Sequence, residues 1–131
     1  MFNSTKILVI AAFVSLAANA NAYAKTNPGY QASIIHNSTK VNLNFDVAWG
    51  NGPWQRTVLR PGERVAKSNN QSTSYWKVLR VRFDCDPGPG VNMQEYKIRT
   101  NRYPTTLFKH LPPTEVFRFQ PNGVIDLLHN R

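Results

Sequence analysis

Cysteine is nearly absent: Cys85 stands alone, so no internal disulfide braces the chain. Acidic residues are scarce as well, with seven Asp and Glu against sixteen Lys and Arg. That imbalance excludes an acidic, cation-collecting surface and points toward anionic partners. Past the first two dozen residues there is no long apolar run, which leaves no candidate for a membrane-spanning helix. Nor does any later stretch of ten or more residues hold a 3.6-residue period, so amphipathic helices are not expected. Catalytic signatures are missing too. There is no H-E-x-x-H, no C-x-x-C and no Gly-rich phosphate loop, and His36, His110 and His129 are far apart. A non-enzymatic chain without a cofactor is the expectation.

What is present begins with a leader. Lys6 supplies a positive start, Ile7 to Leu16 is apolar except for Ser15, and Ala-Asn-Ala-Asn-Ala follows. This is the pattern of a secretory signal peptide over residues 1–22, with cleavage allowed up to residue 24. Its short basic start and small-residue ending read as bacterial. The protein is therefore expected to be exported, periplasmic or secreted, with no integral membrane segment after cleavage. The remaining ~107 residues, 25–131, suffice for one domain with its own core. They keep a net charge of about +8, because Lys6 is the only charged residue removed.

Within that domain the pattern is one of strands. Val41, Leu43, Phe45, Val47 and Trp49 fall on alternate positions, which places them on one face of a ribbon. A Gly-Asn-Gly-Pro turn leads to a second arm, Trp54 to Leu59, closed by Arg60-Pro61-Gly62-Glu63. Pro then Gly at the centre of four residues is the signature of a type II turn. Gln31 to His36 reads as an edge strand, and Arg64 to Lys67 as a short one before a polar loop. Leu79, Val81, Phe83 and Cys85 share one parity, with Trp76, Val78, Arg80 and Arg82 on the other. Asp84 to Gly90, rich in Pro and Gly, ends that strand, and Val91 to Thr100 resumes the pattern. Asn101 to Thr114 reads as a long connection. A last hairpin joins Glu115–Phe119 to Val124–Leu128 through Asn122-Gly123. Asn37-Ser38-Thr39 and Asn70-Gln71-Ser72 are glycosylation sequons that a bacterial leader makes coincidental. Seven or eight strands at this spacing predict an all-β fold, a single antiparallel β-sandwich of immunoglobulin-like or related type, with the first hairpin packed on the last.

Three segments carry a resemblance: W-G-x-G-x-W-x4-L-x-P-G at Trp49 to Gly62, R-F-D at Arg82 to Asp84, and F-R-F-x2-N-G-x-I-D-L at Phe117 to Leu127. Together they resemble a group of small exported bacterial proteins without assigned biochemistry. The resemblance implies an all-β fold and brings no catalytic or ligand-binding residues with it.

The candidate binding residues are basic and aromatic. If their strands are neighbours, Arg80, Arg82, Lys97, Arg99 and Arg118 form a basic patch on one sheet face, suited to phosphate, sulfate or carboxylate. The competing reading is a solvated face whose charges guard against edge-to-edge pairing. Trp49 and Trp54 flank the first turn, where they either stack on a sugar ring or close the end of the core. Trp76 shares the parity of Arg80 and Arg82 and is placed for a cation–π contact. Asp84 and Asp86 offer two oxygen ligands for Ca²⁺, too few by themselves, and Arg80 and Arg82 are simpler partners for them. The expected function is a binding module for an anionic polymer or glycan, with nucleic acid ranked below these. The alternative is a protein-interaction or structural domain, an inhibitor or a surface-assembly component, that uses an edge strand such as Ile34 to His36.

Overall fold

A computed structural model describes residues 29–69 and 76–130. The expected leader and the sequon at Asn70 lie outside these residues. Among the described residues alternation becomes nine strands: β1 (Tyr30–Asn37), β2 (Leu43–Trp49), β3 (Gln55–Leu59), β4 (Arg64–Asn69), β5 (Leu79–Asp84), β6 (Met93–Ile98), β7 (Asn101–Tyr103), β8 (Glu115–Phe119) and β9 (Ile125–His129). There is no α-helix among the described residues, and hence none long and apolar enough to cross a membrane. One sheet runs β4-β1-β8-β9 with β7 also on β1, and the other runs β3-β2-β5-β6.

Three expectations need correction. The connection from Asn101 holds a further strand, β7, and a single 3₁₀ turn at Thr105–Leu107, so the strand count exceeds seven or eight. The first sheet is mixed, because β1 and β8 run parallel through Ile35↔Glu115, His36↔Val116 and Asn37↔Phe117. Nor is β1 an edge: β4 covers one side over Gln31 to His36, while β7 and β8 take the other. Its composition explains the position. Ala32 to Ile35 are all buried, which only a strand covered on both faces tolerates.

The two sheets share one core. Leu43, Phe45 and Val47 of β2 and Leu79, Val81 and Phe83 of β5 face Ile35, Phe117, Ile125 and Leu127 of the other sheet. The Phe117 ring lies 5.1 Å from Phe45 and 5.0 Å from Phe83, the second contact edge-to-face at 87°. Such pairs add about 0.5–1.5 kcal/mol beyond burial of their area. The first hairpin thus packs on the last, as the alternation implies. Cys85 is buried in the same cluster and behaves as a small hydrophobe.

Polar clasps hold the ends of these strands. Asn37 is fully buried: its Nδ2 donates to the carbonyls of Val41 (2.9 Å) and Leu59 (3.0 Å), and its Oδ1 accepts from Thr39 N (2.9 Å). That sequon is a structural turn, with no room for a glycan. The Pro61-Gly62 turn closes as expected, with Glu63 N donating to Arg60 O at 3.0 Å and Gly62 at φ 82°. Only glycine enters that region of backbone space without a Cβ penalty.

Candidate binding face

The register of the second sheet decides what its outer surface carries. Inward residues of β2 and β5 are apolar, so their alternates face out. One row reads Arg56, Asp46, Arg82, Glu95 across β3, β2, β5 and β6, each directly opposite the next. The adjacent row pairs Ala48 with Arg80 and Arg80 with Lys97. Extending the β2–β3 register by one step puts Trp54 opposite Ala48. Ala48 is 2% exposed although it faces outward, as a methyl lying under a large neighbour would be.

Asp46 is the anchor of this face. Arg56 Nε donates to its Oδ1 at 2.6 Å and Arg82 Nε to its Oδ2 at 3.1 Å. The Arg56 hydrogen bond foremost, working against burial and helped by Arg82, holds the Asp46 carboxyl below its usual range. Arg80 Nε donates to Gly50 O at 2.8 Å, and its terminal nitrogen lies 3.6 Å from Glu95. Arg56 and Arg82 thus spend one of five N–H donors on Asp46 and keep the terminal fork for other acceptors. Both guanidiniums of β5 also lie on the Trp54 indole, Arg80 at 4.4 Å and Arg82 at 4.1 Å from the ring centroid. The face is a ring-and-cation cluster pinned by two carboxylates.

The structure brings together four of the eight sequence-predicted residues: Trp54, Arg80, Arg82 and Lys97. Arg99 follows β6 and lines a groove beside it, together with Lys97. Arg118 departs from the expected patch, because β8 belongs to the other sheet, where it opposes Asp126. Trp49 and Trp54 do not pair at the hairpin tip. Trp49 follows the inward parity of β2 and packs half-buried on the core, whereas Trp54 faces out. Trp76 is exposed and takes Arg102, at 5.3 Å, in place of Arg80 or Arg82. Asp46, Arg56, Ala48 and Glu95 are the residues sequence reasoning missed. Their signal was present: a carboxylate and a methyl at outward positions of the most clearly alternating arm.

Asp84 and Asp86 are not partners of Arg80 and Arg82. Asp84 Oδ1 accepts from Asp86 N (3.0 Å) and Asn92 N (2.9 Å), and Asp86 Oδ1 accepts from Gly88 N (2.8 Å). Both carboxylates fold the Gly/Pro turn on itself, and no group of three or more metal-ligating side chains occurs among the described residues. His110 is exposed on the loop after the 3₁₀ turn. Comparison with protein-family models finds no match for this chain, and comparison with curated proteins and with solved structures finds none either.

Proposed function

We propose that the protein is an exported, non-enzymatic binding module of bacterial origin that recognises an anionic polymer or glycan through the outer face of the β3-β2-β5-β6 sheet. The observation that carries this reading is Trp54 under two guanidiniums, beside Arg56 and Arg82 whose orientation Asp46 fixes. Planar cations held in place lose little freedom on meeting sulfate, phosphate or carboxylate, and they present two parallel N–H donors. Charges that merely guard a strand edge need no such anchoring. The placement of the two-sheet fold among immunoglobulin-like or related sandwiches belongs to this proposal, and so does the residence in periplasm or medium that the leader implies.

The test is titration with a sulfated polysaccharide at rising salt. Binding is expected to weaken steeply as condensed counterions compete, and Arg80→Ala with Arg82→Ala to weaken it at least tenfold. Binding indifferent to salt, or untouched by the double substitution, overturns the reading. A second reading, pairing with a protein partner, draws on the outer edge of β6, flanked by exposed Val91 and Met93. It predicts a partner that is retained by the double variant.

A further inference from the structure

The two sheets leave a seam along one flank, where edge strands β6 and β9 face each other. Tyr96 bridges it: its phenol donates to Asp126 Oδ1, and burial, followed by that carboxylate, pushes its pKa up to about 12. On either side of this bridge the seam opens into a hollow. One, of about 340 Å³, runs beside Ile98 and Leu127 and carries Lys97, Arg99, Glu115 and His129. The other, of about 260 Å³, lies toward the loops and is rimmed by Asn92, Gln94, Gln120 and Asn122. Each is near the lower end of the range for small-molecule sites, and Tyr96 walls both.

The polar groups in these hollows are half-spent in a consistent way. In the first, His129 Nδ1 is held at 2.7 Å by Glu115 Oε2, and Glu115 is itself 3% exposed and fixed by Ser33 Oγ at 2.6 Å. That contact orients the imidazole and leaves Nε2 without a partner among the described residues. Lys97 and Arg99 likewise make no ion pair among the described residues. In the second, Asn92 Oδ1 accepts from Gln94 Nε2 (3.2 Å), Gln120 Nε2 donates to Asp126 Oδ2 (2.8 Å), and Asn122 Oδ1 accepts from Val124 N (3.0 Å). Each amide therefore has one end tied and the other end, Nδ2 of Asn92 and Asn122 and Oε1 of Gln94 and Gln120, left over among the described residues. An amide has both donor and acceptor capacity, so the leftover set is mixed.

A cationic hollow and a mixed donor–acceptor hollow, joined at an aromatic wall, match a ligand with an acid group at one end and hydroxyls along the rest. We propose that the β6–β9 seam binds a short acidic oligosaccharide. Its carboxylate sits at Lys97 and Arg99, one hydroxyl donates to His129 Nε2, its ring lies against Tyr96, and its other neutral hydroxyls reach the four amides. This inference rests on the glycan reading above but uses an adjoining surface that shares only Lys97 with the sheet face, so the Arg80/Arg82 and Arg99 variants tell the two apart.

The experiment titrates the folded protein with a galactose trimer in which one terminal sugar is galacturonic acid, followed by amide and side-chain NMR shifts and by calorimetry. The neutral galactose trimer and the variants Arg99→Gln, Asn122→Asp and Arg80→Ala/Arg82→Ala run in parallel. Asn122→Asp keeps the oxygen that Val124 N requires while replacing the leftover donor, so the turn survives. The proposal expects shifts at Tyr96, Leu127 and His129, at least tenfold weaker binding for Arg99→Gln, several-fold weaker for Asn122→Asp, and no change for the sheet-face double variant. A neutral trimer that binds equally well overturns it, as does trimer binding lost with Arg80 and Arg82 but kept in Arg99→Gln. No binding of the acidic trimer up to millimolar concentration overturns it too, whatever the sulfated polymer does.

Discussion

Replacing Asp46 by Asn separates the structural and electrostatic roles of the sheet face, because the two effects have opposite signs. The Asp46 side chain is 11% exposed and holds two guanidiniums whose side chains are 64% and 39% exposed. Each contact therefore belongs with partly screened pairs worth roughly 0.2–1 kcal/mol. The amide keeps one acceptor and sets an NH₂ group against the other arginine. A loss of about 1–2 kcal/mol follows, or roughly 5–10 °C in Tm for a domain of this size. Binding moves the other way. Asp46 and Glu95 sit among Arg56, Arg80, Arg82 and Lys97 on this face, so the substitution makes its net charge more positive by one. Affinity for a sulfated polysaccharide is expected to rise several-fold at low salt, with a salt slope steeper by up to about one.

The assay pairs urea unfolding with salt-dependent titration on the same preparation. Acid supplies an internal check. A carboxyl whose folded pKa lies below its free value contributes stability above that value and loses it as pH falls through the folded one. The wild type is therefore expected to converge on the Asn variant as pH drops below 3.8, the ordinary value for this group. An Asn variant that is less stable yet shows no steeper salt slope refutes the electrostatic role of the face. One with unchanged stability refutes the anchoring role of Asp46.

Phe117→Ala removes the ring that touches both Phe45 and Phe83, and is expected to cost about 3–5 kcal/mol by denaturant unfolding; a loss below about 1.5 kcal/mol would mean the two sheets do not depend on it. Tyr96 carries a pKa raised to about 12, so its contribution is complete below pH 10 and lost as pH climbs through 12. Solvent screening holds it to about 1 kcal/mol or less, and Tyr96→Phe is expected to flatten that part of a stability–pH curve. Gly62→Ala places a Cβ at φ 82° in open space, so backbone strain of roughly 1–2 kcal/mol is the whole expected cost. A neutral result in thermal unfolding would show that the turn relaxes.

Strand positions were readable because the period of two survives in single segments. Val47 is inward and Asp46 outward whatever lies beside them, and the Gln120 to Gly123 turn forms where Asn-Gly announced it. Neighbour relations were not readable in the same way. Nothing local in Ala32 to His36 says that a strand 80 residues later will lie parallel to it, so β1 read as an edge when it is the centre of its sheet. The same limit misplaced Arg118, whose outward parity was legible but whose sheet was not. The Trp54 cluster needed both kinds of information: the outward parity of Arg80 and Arg82, and the register that brings Ala48 between them and the indole. Pair geometry across strands is set by long-range packing, and alternation alone cannot supply it.

The basic excess acquires a location once every carboxylate is followed to its partners. All seven Asp and Glu lie among the described residues. Asp84 and Asp86 serve backbone N–H groups of their own turn, and Asp126 serves Tyr96 and Gln120. Glu115 takes hydroxyls and an imidazole, while Glu63 caps a turn beside Arg60. Only Asp46 and Glu95 are left to the sheet face, where they orient Arg56, Arg80 and Arg82 without matching their charge. The acids that could have neutralised Lys97 and Arg99 are committed to holding turns and the seam together. A chain built this way keeps positive charge on both sides of β6, on the sheet face and along the seam, which is the complement that the proposed anionic ligand requires.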